Sequence, residues 1–260
     1  STSSCPPAGT TNVTITGAVS ISEPVAVYEQ ATGGTITGTN VSGAGLTHFA
    51  GIAATDKFYA ANLATAYSLA AALIDAGVPN TQVHVEEISS GNKYVNDNIP
   101  NPTAPPATIS LKIQAAIDFA TPGKTIFVES GIFPERLSVN KALTIDGAGL
   151  GTVLQGASLP AGASGITLVS GVSNITIRDL SVSNFTGTAP LSTAGIYGTG
   201  NSNLTLLNLD IANNVNCSGV YLSGGAAISN VLIDNVSAHG HTGGARGIVI
   251  WDGVKTNITI

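Results

Sequence analysis

Five side chains capable of catalysis crowd around one short stretch of this chain. They are Asp234, His239, His241, Arg246 and Asp252, in and beside the loop HGHTGGARG at residues 239–247. Two histidines at i and i+2 are able to share a metal ion, or one of them to act as general base. The plainer expectation, and the one favoured, is a solvated polar loop joining two structural elements. Cys5 and Cys217 lie far apart without a C-x-x-C spacing, so neither a metal site nor a cofactor is expected. They form one long-range disulfide or remain two buried thiols.

The elements that must carry this loop belong to an internal repeat. Ser173-Asn174, Ser202-Asn203, Ser229-Asn230 and Thr256-Asn257 recur with Asn-to-Asn spacings of 29, 27 and 27 residues. After each Asn, aliphatic residues return at offsets +1, +3, +6 and +8: Ile175, Ile177, Leu180 and Val182 in the first copy, then Leu204, Leu206, Leu209 and Ile211. The third copy has Val231, Ile233, Val236 and Ala238, and the fourth begins with Ile258 and Ile260. Each copy follows a glycine-aliphatic pair: Gly165-Ile166, Gly195-Ile196, Gly219-Val220 and Gly247-Ile248. Two-residue steps put each aliphatic pair on one face of a short strand, and the three-residue step between pairs requires a bend. Short strands and bends at this period predict the rungs of a parallel β-solenoid, each burying its inward residues against its neighbours. Asn174, Asn203, Asn230 and Asn257 should then stack as a ladder. A β-sandwich with regular turns would not hold those four residues in register.

The stretch Ile113–Gly156 carries a family resemblance. Ile109, Ile113 and Ile117, with Ala116 and Ala120, suit one face of a helix, and the turn Gly131-Ile132-Phe133-Pro134-Glu135 follows. This combination resembles the opening of right-handed parallel β-helix proteins of the pectin lyase-like superfamily, in which a short amphipathic helix caps the open end of the core. The resemblance covers residues 107–260. It implies a mainly β fold with an N-terminal capping helix, and it is shared by enzymes, adhesins and tail fibres alike. The enzymes of that group imply further motifs. Pectinesterases need glutamine and aspartate motifs where this chain has IYGTG and VYLSGG. Polygalacturonase-like hydrolases need a carboxylate pair to protonate the leaving oxygen and activate water. Here Asp179, Asp210, Asp234, His239-Gly240 and Arg246 occur without an adjacent Asp pair. Pectate lyases place a His after their Trp-Ile-Asp, and here Ile250-Trp251-Asp252 is followed by Gly253. Asp252 is therefore expected to be a turn residue.

Residues 1–105 read as a small mixed α/β domain. Val13, Ile15, Val19 and Ile21 alternate with polar residues as in a strand, a helix is expected near 55–76, and Thr81–Tyr94 suggests a hairpin around Ser90-Gly91-Asn92. IPNPTAPPAT at 99–108 has four prolines in ten positions and suggests a stiff linker. The segment GTITGTNVSGAGLTHFAG with NLATAY resembles the Thr/Gly-rich strand and helix of bacterial ice-binding β-solenoids. Between Lys57 and Asp75 run 17 residues without a formal charge, but Asn62, Thr65 and Ser68 interrupt them, and a packed helix is expected rather than a membrane span.

Composition narrows the function. Charged residues are 9% of the 260, against roughly 25% in an ordinary soluble domain, and the net charge is −6. So few cations argue against nucleic acid and anionic membranes. The first residue is Ser and no leader follows, as in a mature exported chain. Sequons begin at Asn12, Asn40, Asn174, Asn184, Asn203, Asn216, Asn235 and Asn257, so glycosylation is possible. Thr144, Thr176, Thr205 and Thr259, broken by Leu232, occupy equivalent outward positions where glycan or ice could bind; exposed strand threonines are also common for their own sake. The chain stops within a rung at Ile260, so Val13, Ile15, Val19 and Ile21 are expected to complement Ile258 and Ile260 of another copy by head-to-tail strand addition. A fragment of a longer parent chain would look the same. The expectation is an extracellular, cell-surface structural or adhesive protein, with copies of itself or glycans as partners. A polysaccharide-active enzyme using residues 234–252 is the alternative, and a carbohydrate- or ice-binding solenoid the third reading.

Overall fold

The computed structural model describes residues 25–30, 47–49, 55–60, 63–75, 80–81, 83–87, 90–100, 108–188, 192–223 and 227–260. The chain divides into two compact units, residues 1–120 and 121–260.

In the first unit an antiparallel sheet runs in the order β2 (Thr47–Phe49), β3 (Thr55–Ala60), β1 (Val25–Gln30), β4 (Val83–Glu87), β5 (Lys93–Val95). Helix α1 (Leu63–Asp75) buries Ala66, Tyr67, Ala70 and Ala71. No helix among the described residues is long and apolar enough to cross a membrane. The expected hairpin is present: Val85 pairs with Tyr94 and Glu86 with Lys93 across a turn closed by Gly91 N–H to Glu87 O at 2.7 Å. Two expectations need correction. The helix begins at Leu63 rather than 55, because Thr55–Ala60 spends its backbone groups on β1, Val27 facing Phe58. Ile109 is in strand β7 (Thr108–Ile109), paired with Ile99 of β6 (Ile99–Pro100), and of the three isoleucines Ile113 and Ile117 alone lie in α2 (Ile113–Phe119), buried there with Ala115 and Ala116. The Leu111 N–H bonds to Asn96 O, so the chain turns helical only after Lys112. Strands β6 and β7 also bring the two ends of the proline-rich stretch together. Lys93 is buried and paired with Glu86, its cross-strand neighbour. Beside it, burial and then the Lys93 charge push His84 down to about 2, and its neutral ring stacks on Phe119 at 4.1 Å.

The second unit is a parallel β-solenoid, as the repeat requires. One sheet stacks β8 (Lys124–Val128), β11 (Leu143–Gly147), the first halves of β14 (Ile175–Ser183), β16 (Leu204–Ala212) and β18 (Ile228–His239), and β20 (Lys255–Thr259). A second stacks β9 (Gly131–Phe133), β12 (Thr152–Gln155) and the second halves of β14, β16 and β18. A third stacks β10 (Leu137–Val139), β13 (Ile166–Leu168), β15 (Ala194–Thr199), β17 (Ser218–Ser223) and β19 (Ile248–Trp251). The inward columns follow the sequence offsets. Ile126, Ile145, Ile177, Leu206 and Ile233 are in register and at most 2% exposed. Phe133, Leu154, Val182 and Ile211 form the matching column of the second sheet. The bend expected between offsets +3 and +6 is one residue in the left-handed region, Asp179, Asn208 and Asn235 in successive rungs, with φ of 57, 52 and 50°. Asp and Asn tolerate that conformation better than other residues bearing a Cβ.

Candidate functional site

Each corner of the solenoid is built by residues that meet their equivalents one rung away. At the entry to the first sheet, Asn203 Nδ2 donates to Asn174 Oδ1, Asn230 Nδ2 to Asn203 Oδ1 and Asn257 Nδ2 to Asn230 Oδ1, each at 2.9 Å. All four have positive φ. A second ladder, not read from the sequence, follows the bend: Asn208 Nδ2 donates to Asp179 Oδ1 at 2.8 Å and Asn235 Nδ2 to Asn208 Oδ1 at 2.9 Å. It was legible as the recurrence of Asp/Asn at offset +5. These bonds bear on the sequons. The Nδ2 atoms of Asn203, Asn235 and Asn257 are engaged in ladders and that of Asn184 on Ser183 Oγ, whereas Asn174 gives its ladder only an oxygen. Asn216 is half-buried with φ 48°; Asn12 and Asn40 lie outside the described residues.

The five loop residues face different surroundings. Asp234 is exposed on the outer face of the first sheet, in register with Leu207. His239, at the end of β18, is outward, its Nε2 2.9 Å from Asp210 Oδ1. His241 turns inward: its Nδ1 accepts the Asn214 N–H at 3.3 Å, which leaves the proton on Nε2, and Nε2 is buried without a partner. Burial, and secondarily His239, lower its pKa. Arg246 is exposed, with its backbone N–H donating to Ser218 Oγ. Asp252 has φ 57° and accepts the Gly253 N–H, a turn residue. Among the described residues no three His, Cys, Asp or Glu gather as a metal would need.

His241 ends an inner stack that includes Phe185 and Asn214, linked by isolated bridges Thr186–Val215 and Val215–Thr242. Asn214 Oδ1 accepts the Phe185 N–H at 2.9 Å. The stack lies against Gly165, Gly195 and Gly219, at the openings of β13, β15 and β17. A Cβ on Gly165 would come 2.8 Å from the Phe185 ring, and one on Gly219 2.7 Å from His241 Nε2. That close approach is why the repeat demands glycine there.

Asp210, His239's partner, lines a cleft of about 380 Å³ with Gly149, Leu150, Asp179, Asn208, Leu209, Asn235 and Ser237. Sequence reasoning named Asp210 but not this pairing, because the two residues are 29 apart and meet only across a rung. The loop holding Gly149 and Leu150 is fixed by Gly149 N–H to Asp179 O at 3.0 Å and by the Ser181 hydroxyl to Leu150 O at 2.8 Å. On the first sheet the threonine column is longer than expected, running Thr125, Thr144, Thr176, Thr205, Leu232, Thr259 in register. Of the assembly residues, Ile258 pairs with Val231 and Ile260 is 72% exposed, while Val13, Ile15, Val19 and Ile21 lie outside the described residues. Cys217 is a fully buried thiol, pushed up to about 11 chiefly by desolvation; Cys5 lies outside the described residues.

Comparison with known protein families, curated proteins and solved structures finds no match. What stands of the expected resemblance is the parallel β-solenoid; no match supports the pectin lyase-like superfamily specifically.

Proposed function

We propose that the protein is an extracellular structural or adhesive solenoid that presents a regular surface to its surroundings. The observation that carries this reading is the unbroken Asn174–Asn203–Asn230–Asn257 ladder, which ties each rung to the next through side chains as well as backbone. Satisfied side-chain networks favour one rigid arrangement. A surface wetted by Ser, Thr and Asn rather than by charge suits contact with neutral partners. Negative-stain electron microscopy and polysaccharide incubation of the native protein test it together. Stiff rods or fibres without loss of polymer length are expected; steady depolymerisation would overturn the structural reading. Self-assembly by strand addition is its narrower form, and deletion of residues 1–22 should then abolish fibres.

A second reading, a polysaccharide-active enzyme of pectin lyase-like type, is favoured by the Asp210–His239 contact beside Asp179 in one cleft. Glycoside hydrolysis needs two carboxylates, one as acid and one as base or nucleophile. Release of reducing ends that vanishes in Asp210→Ala and His239→Ala would support it; turnover unchanged in both would remove it. The third reading, ice binding on the threonine column, predicts thermal hysteresis that Thr176→Tyr and Thr205→Tyr reduce.

A further inference from the structure

We propose that the cleft over the Asp179–Asn208–Asn235 bend is a binding site for a neutral glycan running along the solenoid axis. This gives the adhesive reading its ligand class and rests on that reading. The site is concave and preformed. Its volume of about 380 Å³ falls within the roughly 300–1,000 Å³ usual for ligand clefts. Its wall is held by the Gly149–Asp179 and Ser181–Leu150 bonds, and its Asp210 carboxylate is in contact with His239, so little ordering remains to be done on binding.

The lining chemistry selects the ligand. Planar carboxylates and amides accept or donate two hydrogen bonds side by side, which matches vicinal hydroxyls. Asp179, Asn208 and Asn235 each spend an oxygen, an N–H or both on their ladder. What each has left, a second carboxylate oxygen on Asp179 and the second amide N–H on Asn208 and Asn235, recurs once per rung, about 4.8 Å apart, close to the rise of a sugar unit along a polysaccharide. Asp210 and the Ser237 hydroxyl add acceptors on the next outward position. Leu150, 55% exposed, offers an apolar patch to the C–H face of a sugar ring. Asp179 and Asp210 also set the sign of charge: they repel uronates. The nearby Arg178 does not reverse this: its one guanidinium is shared between Asp146 and, at 3.7 Å, Asp179, so the carboxylates, with Asp210, outnumber it. A uronic acid polymer is therefore disfavoured and an uncharged one admitted.

The test is isothermal titration calorimetry of the whole chain with three probes, soluble galactomannan, xyloglucan and polygalacturonate, each with and without chelator. Saturable binding of at least one neutral probe is expected, unaffected by chelator, with polygalacturonate inert. Asp210→Ala and the steric plug Ser237→Trp should each weaken binding about tenfold or more. Thr176→Tyr, on the other sheet, should leave it unchanged, and circular dichroism should show all three variants folded. Binding unchanged in both cleft variants, binding lost in Thr176→Tyr, a chelator requirement, or preference for polygalacturonate overturns the cleft assignment. So does failure of both neutral probes. The adhesive reading is judged separately by retention of the protein on polysaccharide-bearing surfaces, and it fails if the probes are degraded.

Discussion

Two corners of the same solenoid solve one problem differently. At the exposed corners, Asn174, Asn203, Asn230 and Asn257 are identical, and each amide bonds its own copy in the next rung. At the buried corner, Phe185, Asn214 and His241 are unlike one another, and what repeats is the space left by Gly165, Gly195 and Gly219. The first corner is held by hydrogen-bond complementarity between equal residues. Volume governs the second, where a stacked side chain must clear the strand opposite. Every step of the first ladder carries its amide–amide bond, whereas Asn214 Nδ2 and His241 Nε2 are buried without a partner. A repeat in structure thus asks for the same residue only where side chains recognise their own kind.

Steric intrusion at the buried corner should have the largest effect. A Cβ on Gly219 would stand 2.5 Å from Gly247 O, so Gly219→Ala should cost about 3 kcal/mol in denaturant unfolding. Gly171, with φ +76° and nothing within 4 Å of a Cβ, supplies the control; Gly171→Ala should cost only about 1 kcal/mol, from backbone strain. Equal losses would mean that volume does not rule that corner.

Asn203→Ala removes a donor and an acceptor and leaves a Cβ-bearing residue at φ 51°, for a loss of about 2 kcal/mol. Asn203→Gly removes the bonds but relieves the backbone, and about half that loss is expected. If Ala and Gly behave alike, the backbone conformation contributes nothing and the ladder is only hydrogen bonding.

Acid should separate the corners further. The folded pKa of His241 lies below its ordinary 6.5, through burial first and His239 second. The unfolded chain then takes up the proton first, so stability is complete above pH 6.5 and is lost as pH falls towards and through the folded value. His84 in the first unit acts in the same direction over a wider range, down to about 2. Replacing His241 by Asn, which continues the Asn214 column, should flatten the fall in melting temperature between pH 7.5 and 5 without abolishing it. An unchanged slope would show that His241 protonates freely in the folded rung. The smallest effect belongs to the exposed Asp210–His239 pair, with side chains 33% and 56% exposed. A double-mutant cycle there should give a coupling of about 0.5 kcal/mol at neutral pH.

The sequence by itself determined the solenoid. Ile175, Ile177, Leu180 and Val182 sit at spacings that only short bent strands can bury on one side, and the repeated Asn announces a ladder because it needs its copy in register. It also showed the hairpin about Gly91. What it did not show are the features made by residues that differ from rung to rung. Ile109 looked helical until the pairing of Ile99 and the Leu111–Asn96 bond claimed its surroundings. His239 and His241 looked like one site because they are two positions apart. Only the tertiary structure decided that one faces solvent beside Asp210 and the other faces the Gly219 backbone. The physical reason is that local spacing reports which face of a strand a side chain takes, whereas a corner residue's direction is set by the left-handed turn before it and by the space the neighbouring rung leaves open.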